Sequence, residues 1–252
     1  MRQMGIAKEL SLLLACIAIG GASPAWGALF TDTTFDVADY SAYVYQTGGA
    51  VINFSQTLTG GNPGSALQVT TEVPATGVER FNSEEYFVNR QLSYSPETQG
   101  ILSSIDFSLD RYFQVTDGFP IASIFATILI VQGGNFYAHS VSLPVATGIF
   151  QTGAANGLQA TDFYLITDFA SLTTDVSKHP NFAGGPIQFG LATGWFSSPH
   201  TPAVTVDVRS DNLSISLSAV PEAQTHVLML AGLVVVALLT YPCRARSSLI
   251  EL

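Results

Sequence analysis

The feature that most constrains this chain is strict alternation of apolar and polar residues in several short runs. Residues 105–109 read Ile-Asp-Phe-Ser-Leu, and the same pattern recurs at 204–208, 213–217 and 52–55. Successive side chains of a β-strand point to opposite faces of a sheet, so this period of two predicts strands with one buried face. Residues 121–131 are almost entirely apolar and rich in Ile, which predicts a strand buried on both faces.

Clusters of glycine and proline separate these runs. They occur at 60–64, 117–118, 183–186 and 198–199, and such clusters are typical of tight turns. No segment between them has a capped helical period. Many strands joined by such turns pack as two face-to-face sheets or close into a barrel. We expect an all-β fold over residues 28–219, a two-sheet antiparallel jelly-roll sandwich.

Charge and composition exclude several classes of protein. The chain has 9 Lys and Arg against 19 Asp and Glu, a formal net charge of −10, and 47% hydrophobic residues. This hydrophobic content argues against intrinsic disorder, and the acidic balance argues against a nucleic-acid partner. The two cysteines, Cys16 and Cys243, lie near the ends. The region between them therefore offers no thiol for a disulfide, a zinc site or a nucleophile.

The first 27 residues have the pattern of a secretory signal peptide. A positively charged start and an apolar core at residues 10–19 are followed by small residues. Ala25 and Gly27 suit the narrow pockets of signal peptidase, so we expect cleavage just before Ala28. Lipid attachment at Cys16 is the alternative interpretation of this segment.

The other end combines an apolar run with a basic cluster. Residues 227–241 carry no charge, and the cluster at 244–246 follows with Arg244 and Arg246. A helix of this length spans roughly 22 Å, and cations beside a membrane helix fix its orientation. We expect a transmembrane helix at 227–241. A buried segment of the globular region is the alternative, and residues 247–252 form a short tail.

This tail resembles the PEP-CTERM sorting signal of Gram-negative bacteria. Val220, Pro221 and Glu222 precede the apolar run and the basic cluster, and the resemblance covers residues 220–246. Ala223 stands where the motif has a second proline. The resemblance implies recognition by exosortase, a membrane-embedded enzyme similar to cysteine transpeptidases. It also implies export through the inner membrane, transient membrane anchoring, and a final place at the cell surface or in the matrix, where such proteins are linked to exopolysaccharide and biofilm.

Three parts of the middle region resemble concanavalin A-like and laminin-G-like β-sandwiches. They are the turn at 60–64 with the strand after it, the stretches at 179–182 and 186–190, and residues 211–215. The resemblance implies this fold, and related sandwiches can hold a structural calcium ion between their first and closing strands. Asp32, Asp36 and Asp211 are the corresponding candidate ligands. Turn capping by Asp32 and Asp211 is the alternative.

The middle region lacks the residue patterns of common hydrolases. Glu84 and Glu85 are neighbours, and neighbours on a strand face opposite sides of a sheet. They therefore cannot form the facing carboxylate pair that hydrolyses glycosidic bonds, and we expect both to be solvated surface charges. Nucleophile elbows, zinc motifs and phosphate-binding loops are missing from the sequence, so no catalytic residue and no cofactor other than calcium is assigned.

Exposed aromatic rings would let the domain bind carbohydrate, because the C–H faces of sugars pack on rings. Trp195, beside a glycine and a Ser-Ser-Pro turn, is the ring most expected to be exposed, and Tyr86 is a second candidate. A place in the core is the alternative for each. We expect an exported, non-enzymatic protein that binds matrix exopolysaccharide. A secreted polysaccharide-cleaving enzyme and a ligand-free structural protein of the envelope are the alternatives.

Overall fold

The computed structural model describes residues 27–46, 49–75, 82–115, 121–169, 173–197, 203–220 and 232–233. Residues Trp26–Ala219 form one compact unit. Most of the expected signal peptide and of the expected sorting tail lies outside the described residues.

Strands account for most of the compact unit. In chain order they are β1 (Ala28–Asp32), β2 (Tyr40–Gln46), β3 (Val51–Gly61), β4 (Gly64–Val73), β5 (Asn82–Tyr94), β6 (Leu102–Val115), β7 (Ile121–Gln132), β8 (Asn135–Leu143), β9 (Phe150–Leu158), β10 (Tyr164–Asp168), β11 (Thr173–Asp175), β12 (Ile187–Ser197) and β13 (Val204–Ala219). Short 3-10 turns occupy Val37–Asp39 and Ala160–Asp162, and one short helix, α1, occupies Pro96–Gln99.

The strands form two antiparallel sheets that pack face to face. In the six-stranded sheet the order is β3-β4-β13-β6-β9, and β1 also pairs with β13. In the seven-stranded sheet the order is β11-β10-β8-β7-β12-β5-β2. The predicted all-β, two-sheet antiparallel sandwich is confirmed.

The alternating runs are strands with one face in the core. On β6, Ile105, Phe107 and Leu109 are at most 2% exposed and belong to the main hydrophobic cluster between the sheets. On β7, Ile128 lies in that core and Leu129 lies in a second cluster, and both are fully buried. The prediction that this strand is buried on both faces is confirmed.

Strand β13 has two different neighbours along one side. Its first half pairs with β4 and its second half pairs with β1. An irregularity at Asp211 and Asn212 separates the halves, and Asn212 has a left-handed φ of 51°. Asparagine tolerates this conformation better than most residues. Its amide also donates to the Asn62 carbonyl (2.6 Å) and to the Asp110 carboxylate (2.9 Å).

Candidate functional site

The outer face of the seven-stranded sheet is a trough. Tyr43 on the edge strand β2 and Phe136 on β8 have ring centroids 5.1 Å apart. Four inter-strand steps separate these strands, which is about 19 Å in a flat sheet at ~4.8 Å per step. The sheet is therefore strongly curved, and its two sides face each other across a trough, termed here the outer groove.

A cavity of about 200 Å³ lies in the outer groove. It is lined by Glu84, Tyr86, Phe125, Thr127, Ala138, Ser140, Ile166, Thr174, Ala192 and Gly194. Pockets that enclose drug-sized ligands measure about 300–1,000 Å³. The cavity therefore suits one small group of a ligand.

Cross-strand pairing explains the mixed chemistry of the cavity. One row across β5, β12, β7 and β8 consists of Tyr86, Ala192, Thr127 and Ser140. The row thus begins with an aromatic ring, passes a small side chain and ends with two hydroxyls. These hydroxyls, on Thr127 and Ser140, are hydrogen-bonded at 2.8 Å. The site combines an apolar surface and polar groups within one short row.

Gly194 makes room for Glu84 beside this row. The two residues are paired across β5 and β12, and a β-carbon at position 194 would collide with the Glu84 carboxylate. The Glu84 side chain therefore lies against β12 and is only 8% exposed. A glycine inside a strand often marks such a close approach.

Burial makes the Glu84 carboxyl group a much weaker acid than usual. Burial raises the pKa of Glu84 to about 8, the neighbouring Glu85 carboxylate adds to the increase, and the Arg111 guanidinium opposes it. The carboxyl group is therefore largely protonated at neutral pH, with one O–H donor and remaining acceptor capacity. The cavity is consequently polar but largely uncharged at pH 7.

Glu85 points the opposite way, into the core between the sheets. It is fully buried and accepts hydrogen bonds from the hydroxyls of Ser83 and Thr193. Burial raises its pKa to about 7, although these hydrogen bonds and Arg111 lower it. The prediction that Glu84 and Glu85 face opposite sides is confirmed. The prediction that they are solvated charges is wrong, because the core covers one and the curved outer face covers the other.

Arg111 on β6 is a cation inside the sandwich. It is 1% exposed, and its Nη1 donates to the Ser210 hydroxyl at 2.5 Å. Burial lowers the pKa of Arg111 to about 10, whereas Glu85 and Glu84 raise it. Its Nε and Nη2 have no hydrogen-bond partner among the described residues. Arg111 follows Leu109 by two residues, so the period of two does place it on the buried face.

Five aromatic residues meet beside the cavity. Phe169, which follows β10, stacks on Tyr45 with ring centroids 4.6 Å apart and planes 12° apart. Phe169 also meets Tyr86 and Phe136 edge-on, both at 5.2 Å, and Tyr43 completes the set through Phe136. Tyr43, Tyr45, Tyr86, Phe136 and Phe169 are termed the aromatic wall.

The two rings expected to contact carbohydrate lie on opposite faces of the sheet. Tyr86 lines the cavity but is only 2% exposed. The prediction that it is an exposed platform is therefore wrong, and its role as a sugar contact within the cavity stays a prediction. Trp195 is fully buried in the main core and packs edge-on against Phe113 at 6.3 Å. The prediction that Trp195 is an exposed platform is wrong, because β12 continues through it to Ser197 and alternation turns the ring inward.

The candidate calcium ligands have protein hydrogen-bond partners. The Asp32 carboxylate accepts from Thr34 (both N–H and hydroxyl), the Phe35 N–H, the Tyr40 hydroxyl and the Asn89 amide. Asp36 caps a 3-10 turn through the Ala38 N–H, and Asp211 accepts from the N–H groups of Asn62 and Asn212.

These contacts fit the turn-capping alternative. A calcium ion takes six to eight oxygen ligands, and the described residues contain no group of three or more His, Cys, Asp or Glu that could hold a metal ion. Calcium binding by Asp32, Asp36 and Asp211 stays a prediction.

Most residues of the expected export signals fall outside the described ranges. Gly27 directly precedes β1, Ala28 begins it, and Val220 follows β13 and is half exposed. Ala25, Pro221, Glu222, Arg244 and Arg246 lie outside the described residues. Where the structure describes the chain, it contains no helix with the length and apolarity to cross a membrane.

The chain matches no family model and no curated protein. Among solved structures, it is similar to the family 11 carbohydrate-binding module from Clostridium thermocellum in complex with a β-1,3-1,4-mixed-linked tetrasaccharide. The identity is 14%, over 79% of this chain and 99% of that chain, with a TM-score of 0.42. It is also similar to the CBM22-1 xylan-binding domain of Paenibacillus barcinonensis Xyn10C, at 13% identity over 79% and 100% of the two chains, with a TM-score of 0.38.

Proposed function

We propose that the domain binds a neutral polysaccharide in the outer groove without cleaving it. The cavity carries this proposal, because the Tyr86 ring and apolar side chains lie there beside the hydroxyls of Thr127 and Ser140. A sugar ring is apolar on its C–H faces and polar at its edge. It therefore needs both kinds of surface at one site, as small-molecule pockets generally provide.

The charge distribution favours a neutral ligand. Residues 28–220 contain sixteen Asp and Glu and five Lys and Arg. Among the described residues that line the cavity, none is cationic. An anionic polymer would approach a surface of the same sign, and it would find no counter-charge at the site.

Cleavage by this domain is the alternative, and the raised pKa of Glu84 is the observation that favours it, since a general acid needs such a value. Glycosidases use two carboxyl groups about 5–10 Å apart that flank one bond. Glu84 is the one carboxylate among the described lining residues, and Glu85 faces the core. This geometry supports binding over hydrolysis.

Affinity gel electrophoresis tests the proposal. We expect soluble β-glucan, xylan or galactomannan in the gel to retard the protein, and alginate to have no effect. Tyr86→Ala and the nearly isosteric Thr127→Val should each abolish the retardation, whereas Tyr112→Ala, on the six-stranded sheet, should not. Release of reducing ends from a bound glycan would favour the enzyme. Free migration in every neutral gel would contradict the proposal and leave the ligand-free envelope protein.

We also infer that the chain is exported and sorted through its tail. The signal-peptide pattern of residues 1–27 and the PEP-CTERM-like tail at 220–246 support processing by signal peptidase and exosortase, with transient anchoring in the membrane. We likewise propose that the sandwich is a jelly roll of the concanavalin A-like and laminin-G-like type.

Cell fractionation with mass spectrometry of both termini tests this inference. We expect the mature protein to begin at Ala28 and to lack everything beyond the Pro221 region. Glu222→Ala should leave the tail attached and the protein in the membrane fraction. An intact C-terminus on protein found free in the cytosol would contradict the inference.

A further inference from the structure

The aromatic wall crosses the outer groove from side to side. Tyr43 and Tyr45 lie on β2 at one side, Phe136 lies on β8 at the other, and ring contacts connect them through Phe169. A groove bridged in this way has no free passage at the level of the wall.

The wall crosses the cavity row obliquely. Tyr43 pairs with Tyr86 within the row and Tyr45 pairs with Glu84 on one side of it, whereas Phe136 lies on the other side, beyond Leu129. The cavity row contains Thr127 of β7, and the next outward-facing residue of that strand is Leu129. Leu129 is fully buried in the cluster that includes Tyr86, Phe136 and Phe169. The floor of the groove is thus covered at Leu129, one step from Thr127.

We propose that the outer groove takes the terminal sugar of a neutral glycan, and that Phe169 determines this specificity by blocking a continuing chain. The inference rests on the proposed function and adds which part of the polymer is bound. The cavity volume of about 200 Å³ fits a site for one terminal sugar. A site for the interior of a polysaccharide chain has to be a longer trough that is open at both ends.

Counting chain ends tests the proposal. The neutral polysaccharide that retards the protein in the gel is partly digested with its own endo-hydrolase, and isothermal titration compares equal masses before and after digestion. With tenfold more ends, we expect about tenfold more binding sites per milligram. An unchanged number of sites per milligram overturns the proposal and leaves the proposed function standing. Absence of binding to both samples overturns both.

Variants of the wall provide a second test. Phe169→Ala should raise the number of sites on the undigested polymer by at least several fold, because interior segments gain access. Tyr43→Ala, at the exposed side of the wall, should act in the same direction. Phe150→Ala removes a ring that packs on Tyr112 in the other sheet, and it should behave as the wild type. If Phe169→Ala and Tyr43→Ala both fold and keep the wild-type preference for ends, the wall does not determine it.

Discussion

The Glu84 carboxylate occupies the space in which any residue other than glycine at position 194 would place its β-carbon. The two positions are paired across β5 and β12, so the acid lies directly on the neighbouring strand. The size of one side chain on β12 therefore controls the burial of the carboxyl group on β5, and through burial its acidity.

Gly194→Ala is expected to push the Glu84 side chain out of the cavity. The pKa of Glu84 should then fall from about 8 toward its ordinary value of 4.5, because burial is the main cause of the shift. Overpacking of this kind costs about 1–3 kcal/mol of folding free energy. Carboxyl ¹³C titration by NMR and urea denaturation measure the two effects.

Gly185→Ala is the matched control, because a β-carbon there meets nothing within 4 Å. It should change neither the pKa of Glu84 nor the stability. A pKa of Glu84 that stays near 8 in Gly194→Ala would show that the close approach does not hold the carboxyl group in place.

Folding stability should decrease as the pH rises from about 5 to 8. The folded-state pKa is raised to about 8 for Glu84 and about 7 for Glu85, against 4.5 ordinarily. The folded protein thus favours the protonated acids. The resulting stabilisation is complete below pH 4.5 and is lost as the pH passes through the folded-state values.

Urea midpoints at several pH values measure this loss. Glu84→Gln should flatten the decrease toward pH 8, since an amide cannot ionise. Glu97→Gln, a change of an exposed glutamate in α1, should leave the wild-type slope. Stability that rises between pH 5 and 8 would contradict the prediction.

Arg111 should contribute to folding stability because the buried carboxyl groups of Glu84 and Glu85 interact with its charge. Removing one member of a buried charge pair typically costs about 3–5 kcal/mol. We expect Arg111→Met to cost less than this at neutral pH, because Glu84 and Glu85, with pKa values of about 8 and about 7, can take up a proton instead of remaining charged. Combining it with Glu85→Gln should cost less than the sum of the two single changes, because the double variant leaves no lone charge. Arg90→Met, a change of an exposed arginine, is the control. Strict additivity in urea denaturation would rule out the coupling.

The effect of a chelator on the melting temperature tests calcium binding. If Asp32, Asp36 and Asp211 hold an ion, EDTA lowers the melting temperature of the wild type, and Asp211→Asn removes this sensitivity. If they only cap turns, EDTA leaves the melting temperature unchanged in both proteins. Differential scanning calorimetry distinguishes the two outcomes.

Local alternation predicted the sheets well, because the buried face of a strand is set by neighbours along the chain. It places Ile105, Phe107 and Leu109 in the core, and it sends Glu84 and Glu85 to opposite faces. Trp195 follows the same rule. Its position beside Gly194 and a Ser-Ser-Pro sequence favoured exposure, but the strand continues through Trp195 to Ser197.

The site could not be predicted in the same way, because it depends on the curvature of a whole sheet. Tyr43 and Phe136 are far apart in sequence and four strands apart in the sheet, and nothing local to either position indicates that their rings meet. Two features of the local sequence did mark positions that line the cavity. Gly194 interrupts a strand-like run, and Thr127 places a hydroxyl inside an apolar one.

The first and last strands of the sandwich lie side by side, with Ala28 opposite Leu217. A force that pulls the two ends of the domain apart would therefore open this ladder one pair at a time, like a zipper, instead of shearing all of its pairs together. Sequential opening of this kind requires a smaller force than simultaneous shear of all the pairs. Under tension, the sandwich would release β1 before the force reaches β2, the edge strand that carries Tyr43 and Tyr45.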